Sequence, residues 1–171
     1  MEKAYKFRIY PNIEQEQLIQ KTFGCCRFVY NQYLAKRIEL YKNDKTTMNY
    51  NACANDLKNI KLNYDWLKEI DSISLQSSLK DLDTAYQNFF REIKKGNGNK
   101  GFPKFKSKKN NYKSYKTKYI NNNIEVLDKQ IKLPKLGLVK CRVSKRVEGR
   151  ILNATVSQNP SGKYFCKYML Y

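Results

Sequence analysis

The sequence predicts an α+β fold in which an antiparallel β-barrel is interrupted by an inserted helical bundle. Three observations carry that expectation. An alternating segment opens the chain, helical periodicities follow it, and after Gly101 the apolar period drops to two, with Asn, Gly and Pro between short segments. A lone opening strand is too short to stand by itself, so it must pair with the later strands, which makes the helices an insertion. The 171 residues are the length of one ordinary domain or two small ones, and 41% hydrophobic content suffices for a core.

The opening strand sets Tyr5, Phe7 and Ile9 on one side and Lys6, Arg8 and Tyr10 on the other, and Pro11 ends it. Asn12 is the expected N-cap of a first helix, with Gln15 three residues on, Leu18, Ile19 and Phe23 as its apolar stripe and Gly24 as its end. A second helix over 27–41 rests on Val29, Tyr30, Tyr33, Leu34, Ile38 and Tyr41, with Lys36 and Arg37 beside them, and the polar stretch 43–47 breaks it. A third spans 50–60 on Leu57 and Ile60. The clearest helix follows Trp66 and Leu67: Leu75, Leu79, Leu82, Tyr86, Phe89 and Ile93 fall at steps of 4, 3, 4, 3 and 4, one core-facing stripe. Asp71 or Ser72 caps it, and Lys94, Lys95 and Gly96 suit its C-terminus. Strands are predicted at 115–119, 124–127, 130–133, 139–143, 151–158 and 163–171, with residues 159–162 as a hairpin loop.

Charge narrows the function. The chain carries 34 basic and 15 acidic residues, a net charge of +19, and residues 94–150 alone hold 18 basic and 3 acidic groups. Within 94–118 there are ten lysines and no Asp or Glu, so the segment repels itself and is expected to hold its place only against a polyanion. Phe102, Phe105, Tyr112, Tyr115 and Tyr119 are interleaved with these lysines. Lysines neutralise phosphates while aromatic rings offer faces for unpaired bases, a pairing that suits nucleic acid better than a membrane.

Several functions are excluded or disfavoured. Without histidine, every mechanism that needs imidazole as base or metal ligand falls away. The cysteines Cys25, Cys26, Cys53, Cys141 and Cys166 contain no C-x-x-C pair and read as buried thiols. Asp81 and Asp83, two apart on a helix, point about 200° apart and cannot share a metal. Asp65, Glu69 and Asp71 read as helix-end charge and caps, and Gly96, Gly98 and Gly101 lack the strand and GK[ST] of a phosphate loop. No catalytic residue, metal site or cofactor is predicted. No apolar run approaches a membrane span and the N-terminus lacks a signal-peptide core, so a cytosolic protein is expected. Tyr50, Gln76, Lys80, Asn121, Asn122 and Asn123 are polar groups outside the core stripe, and amides can read adenine by paired hydrogen bonds.

Three blocks taken together carry a resemblance. They are Ala4-Tyr5-Lys6-Phe7-Arg8-Ile9-Tyr10-Pro11 with Gly24-Cys25-Cys26-Arg27-Phe28-Val29-Tyr30-Asn31; Leu75-Gln76-Ser77-Ser78-Leu79-Lys80 with Ala85-Tyr86-Gln87-Asn88-Phe89-Phe90; and Gly101-Phe102-Pro103-Lys104-Phe105-Lys106. The match continues through Asn121-Asn122-Asn123-Ile124, Leu133-Pro134-Lys135-Leu136-Gly137 and Ile151-Leu152-Asn153-Ala154-Thr155-Val156. In this order they resemble the N-terminal half of TnpB, also called OrfB, the transposon-associated RNA-guided DNA nuclease family.

The resemblance implies a wedge β-barrel interrupted by a helical recognition domain. It divides the chain into a first wedge strand at 1–10, a recognition domain with a helix-turn-helix-like start at 11–95, a lysine-rich connector at 96–114 and the remaining wedge strands at 115–171. It implies a guide RNA from the transposon end and a double-stranded DNA target as partners, with target sequence left to RNA–DNA pairing. Tyr50, Gln76 and Asn121 match positions facing a short DNA motif, with Lys80 beside them. Neighbouring motif-facing positions hold Ser72, Ile73, Ala54 and Ile120, where relatives carry other side chains. The connector would lie along the RNA, with Arg8, Lys104, Lys106, Lys108, Lys109, Lys113, Tyr115, Lys116 and Lys118 as RNA-facing residues. The RuvC-type nuclease domain and zinc ribbon of the family have no counterpart in these residues. The expected protein is therefore a binding segment without its own nuclease centre. Two alternatives stand beside it: one chain of a split endonuclease completed in trans by a RuvC partner, and a small helix-turn-helix repressor reading DNA through residues 12–41, with Lys36 and Arg37 foremost.

Overall fold

The computed structural model describes residues 1–98 and 101–171, which leaves two positions of the connector, Asn99 and Lys100, outside the described residues. The elements run β1 (Lys3–Tyr10), α1 (Ile13–Asp44), α2 (Tyr50–Asn63), a 3₁₀ turn (Asp65–Glu69), α3 (Ser72–Lys94), β2 (Lys113–Lys118), β3 (Glu125–Val126), β4 (Gln130–Leu133), β5 (Gly137–Arg142), β6 (Ile151–Gln158) and β7 (Tyr164–Leu170). Among the described residues no helix is long and apolar enough to cross a membrane.

All seven strands join one sheet in the order β2-β6-β7-β1-β5-β4-β3, every neighbouring pair antiparallel. The opening strand thus does pair with the later ones, and it sits at the centre between β7 and β5. The predicted closure into a barrel is not found. The sheet ends at β2 on one side and β3 on the other, and a two-residue β3 bonded only to β4 offers too little backbone to meet β2. One face of the sheet carries Phe7, Ile9, Tyr115, Val139, Val156, Cys166 and Tyr168 into a single buried cluster shared with the helices.

The second correction concerns the first helix. Gly24 does not end it: α1 is unbroken from Ile13 to Asp44, so the expected break between two helices is absent. Ile19, Phe23, Cys26, Val29, Tyr30, Tyr33 and Leu34 form one buried stripe across the glycine. A glycine inside a helix costs about 1 kcal/mol, whereas burying one large apolar side chain contributes about 1.5–3 kcal/mol. Tertiary packing therefore outweighs the local stop signal. α3 reinforces it, since the Ser78 hydroxyl donates to the Cys26 carbonyl at 2.8 Å.

Polar contacts dock the helices on the sheet. The predicted capping box forms, with Asn12 Oδ1 accepting from the Gln15 amide at 2.8 Å and Gln15 Oε1 accepting from the Asn12 amide at 3.0 Å. The Gln15 amide group then donates to the Leu138 carbonyl at 2.9 Å, and Gln20 Nε2 donates to Gln158 Oε1 at 2.7 Å and Tyr164 Oη at 2.9 Å. Asp71 caps α3 through the Ile73 amide at 3.0 Å and accepts from the Thr117 hydroxyl at 2.5 Å, which fastens the helix start to β2. All five cysteines are free and buried, and burial pushes the Cys26 and Cys166 thiols up to about 12 and Cys141 to about 11.

Candidate nucleic-acid interface

Three residues of α1, Asn31, Tyr30 and Gln20, meet the lysine-rich segment. Asn31 Nδ2 donates to the Lys106 carbonyl at 2.9 Å, and the Lys106 amide donates to Asn31 Oδ1 at 2.8 Å. The Lys106 ammonium lies 4.2 Å from the centroid of the Tyr30 ring. At the other end Lys113 Nζ approaches Gln20 Oε1 at 3.5 Å. The Asn31 side-chain amide thus satisfies the Lys106 backbone directly, a tie within the chain that the charge pattern did not anticipate.

Between these ties lies a cleft lined by Phe23, Cys26 and Arg27 of α1 and by Lys104, Phe105, Lys106, Ser107, Asn110, Tyr112, Lys113 and Ser114 of the segment. Phe105 and Tyr112 are 55% and 53% exposed, so both rings remain free to stack. Lys104, Lys108 and Lys109 are exposed and have no carboxylate partner among the described residues. The aromatics Phe102 and Tyr115 behave otherwise: Phe102 packs on Phe89 at 5.1 Å, and Tyr115 is buried against Phe23 at 5.7 Å. Tyr115 therefore offers no face to a base, which corrects its expected place on an RNA surface.

Three further RNA-facing expectations lie elsewhere. Lys116 and Lys118 sit on the sheet face opposite the buried cluster, as does Arg8 on β1. There Lys116, Thr155, Lys167 and Lys6 form a cross-strand row, and Arg8 stacks between Tyr10 at 5.0 Å and Phe165 at 5.9 Å. Lys6 shares this face with Arg8 by strand alternation, whereas Lys167 and Phe165 were not singled out in the sequence and reach it only through strand register.

A second polar face lies on α3. Ser72, Gln76 and Lys80 recur every four residues and are exposed, with Ile73 half-buried beside them. Lys80 Nζ lies 5.1 Å from the centroid of the Tyr50 ring at the start of α2, which brings Tyr50 to the same face. Asn121 and Asn122 follow β2 in left-handed backbone, with φ of 50° and 58°. The Asn123 amide is spent on the turn, accepting from the Ile120 amide at 2.8 Å and donating to the Lys118 carbonyl at 2.9 Å, and Asn122 accepts from the Tyr119 hydroxyl. Asn121 is the exposed amide of the three whose side chain makes no hydrogen bond among the described residues.

Lys36 and Arg37 each have a partner within the chain. Lys36 bridges to Asp56 at 2.8 Å, and Arg37 is 6% exposed with its guanidinium 3.7 Å from the centroid of the Tyr86 ring. Among the described residues no group of three His, Cys, Asp or Glu side chains is placed to hold a metal ion. Arg27, Asn31 and Gln20 escaped sequence reasoning. With Gly24 they fall at steps of 4, 3 and 4, a polar stripe that becomes visible once 13–44 is read as one helix.

A basic α+β protein with an aromatic cleft and an open amide-bearing helix face belongs to the class that comparison identifies further. Residues 1–46 match a family model described as a helix-turn-helix domain, of the OrfB IS605 group. In this structure those residues are β1 and the unbroken α1. The chain is 36% identical over 165 residues to a protein of Escherichia coli K12 named as an RNA-guided DNA endonuclease, InsQ, which covers 95% of this chain and 39% of that protein. It is 33% identical over 111 residues, 64% of this chain and 26% of the relative, to a protein of Streptomyces pristinaespiralis named as an RNA-guided DNA endonuclease. It is also 33% identical over 117 residues to the virulence protein VsdF of Salmonella dublin, covering 63% of this chain and 95% of that protein. The chain belongs to the TnpB/OrfB family. It spans 39% and 26% of the length of the two relatives named as endonucleases.

Proposed function

We propose that these residues are the nucleic-acid-binding part of a TnpB-type system. The cleft between α1 and the lysine-rich segment holds guide RNA derived from the transposon end. The α2–α3 face, with Tyr50, Ser72, Ile73, Gln76, Lys80 and the Asn121 turn, meets a short motif in duplex DNA beside the target, and RNA–DNA pairing reads the rest. On this reading 1–10 and 115–171 form the wedge, 11–95 the recognition domain and 96–114 the connector. The observation that carries the proposal is the cleft itself, where Lys104, Lys106 and Lys113 line a groove with two exposed rings, and the exposed Lys108 and Lys109 stand on the same segment.

Cutting, on this reading, is supplied by a RuvC-type domain outside these 171 residues, in cis or in trans. Support comes from how the carboxylates are used. Asp71 caps α3, Asp56 serves Lys36 and Tyr33, and Asp83 serves Arg37 and Gln87. The test is nuclease protection of the transposon-end transcript by purified protein at moderate salt. Protection of that transcript over unrelated RNAs of equal length is expected; equal, weak affinity for every RNA would sink the proposal.

A further inference from the structure

The C-terminal halves of α1 and α3 leave an open cavity of about 720 Å³, with Phe102 of the lysine-rich segment also in its lining. Five rings line it, those of Tyr41, Tyr86, Phe89, Phe90 and Phe102. Tyr41, Phe90 and Phe102 remain exposed, as does Ile93 beside them. Single exposed apolar side chains are ordinary on a protein surface, but four around one cavity mark a binding site. The charged part of the lining is wholly cationic, Arg37, Lys42 and Lys45. Lys42 and Lys45 are exposed and have no ion-pair partner among the described residues. Arg37 is buried with its guanidinium on the face of Tyr86, yet its Nε has no acceptor among the described residues and its Nη1 reaches Asp83 only at 3.7 Å. A charge buried with so little compensation is costly, so an anion in the cavity stabilises it.

We infer that this cavity receives one unpaired base of an RNA strand, with the adjoining phosphate held by Lys42 and Lys45. This deepens the proposed RNA reading of the chain and rests on it, at a second place on the molecule. A base is planar and stacks on aromatic faces whatever its identity, which suits exposed rings, whereas an aliphatic anion fills the space without using them. Continuity favours a strand over a separate ligand. Phe102 lines this cavity and Lys104, two residues on, lines the cleft against α1, so the two open along one segment. Two residues of chain span at most about 7 Å.

The test is a labelled oligoadenylate of about 10 nucleotides, titrated by anisotropy into wild type, Tyr41→Ala, Phe90→Leu and Phe105→Ala, each at a folded fraction fixed by its own thermal melt. Tyr41 and Phe90 are exposed, and alanine and leucine are good helix formers, so both helices tolerate the changes. Tyr41→Ala and Phe90→Leu are each expected to weaken oligoadenylate about tenfold. The slope of log K against log salt should stay unchanged, because no cation is removed. A fully paired RNA duplex of the same length, whose bases are already stacked, should bind wild type and both variants alike. Oligoadenylate binding at wild-type strength in Phe90→Leu overturns the inference, since the cavity then needs only apolar bulk, and so does a loss that the duplex shares. Displacement of the oligonucleotide by dodecanoate, an anion without a ring, overturns it in favour of an amphiphile site. If Phe105→Ala alone weakens binding, or if wild type ignores oligoadenylate but protects the transposon-end transcript, the base cavity falls and the RNA reading stands; failure of wild type on both RNAs removes the two together.

Discussion

Asp71 does two jobs with one carboxylate: Oδ1 caps α3 and Oδ2 accepts from Thr117, in a site where Asp71 is 7% and Thr117 1% exposed. Replacing Thr117 by Val leaves that oxygen buried without its donor, a loss of about 1–3 kcal/mol, to be read from urea unfolding; Thr117→Ser should retain most of it. Asp56 makes a pH-dependent contribution. Hydrogen bonding from the Lys36 ammonium, with Asn59 and Tyr33, holds its carboxyl below the ordinary range against the opposing effect of burial. A depressed folded pKa means that the stabilisation is complete above the unfolded value, about 4, and is lost as pH falls through the folded value. Asp56→Asn should therefore lower Tm near neutrality, with the gap to wild type closing below about pH 4. A gap that stayed constant with pH would show that packing, not charge, is at stake.

At the scale of elements, α1 decides the shape of the site. Its capping box was legible from Asn12 and Gln15, because a cap depends on neighbours in sequence. Its continuity through Gly24 was not legible, because the buried stripe that overrides the glycine needs α3 and the sheet. The tie from Asn31 to Lys106 spans 75 positions and left no local trace. Asn31→Leu removes both hydrogen bonds at an exposed site. It should change global stability by no more than about 1–3 kcal/mol while markedly speeding trypsin cleavage at Lys104, Lys106, Lys108 and Lys109. Unchanged cleavage would show that the segment is held by other contacts. The two-residue β3 illustrates the opposite case, where a strand predicted at 124–127 shrinks because only β4 stands beside it.

For the whole molecule, the charge map and the sheet register separate two surfaces that can be tested independently. The cleft side carries free lysines with no sequence-reading geometry, while the α3 face carries Gln76 and Lys80 beside Tyr50. Substituting Lys104, Lys108 and Lys109 together by Gln should lower the log–log salt slope of RNA binding by about 2, with little effect on which duplex motif is preferred. Gln76→Ala should do the reverse, removing about 1–3 kcal/mol of discrimination at one base pair. Identical responses of both variants in both assays would mean that the two surfaces are one.

The sequence by itself determined the α+β class, the order of elements, the capping of α1 and α3, the burial of the cysteines and the family, since each rests on local periodicity, local caps or runs of residues in order. It also located the basic region, because charge adds up without reference to shape. Only the tertiary structure decided that the sheet stays open, that one helix crosses Gly24, that Tyr115 turns inward and that Arg8 lies on a different face from Lys106. These depend on which distant side chains compete for the same buried volume and the same hydrogen-bond donors. That competition is settled among segments far apart in the chain, and no window of neighbouring residues contains it.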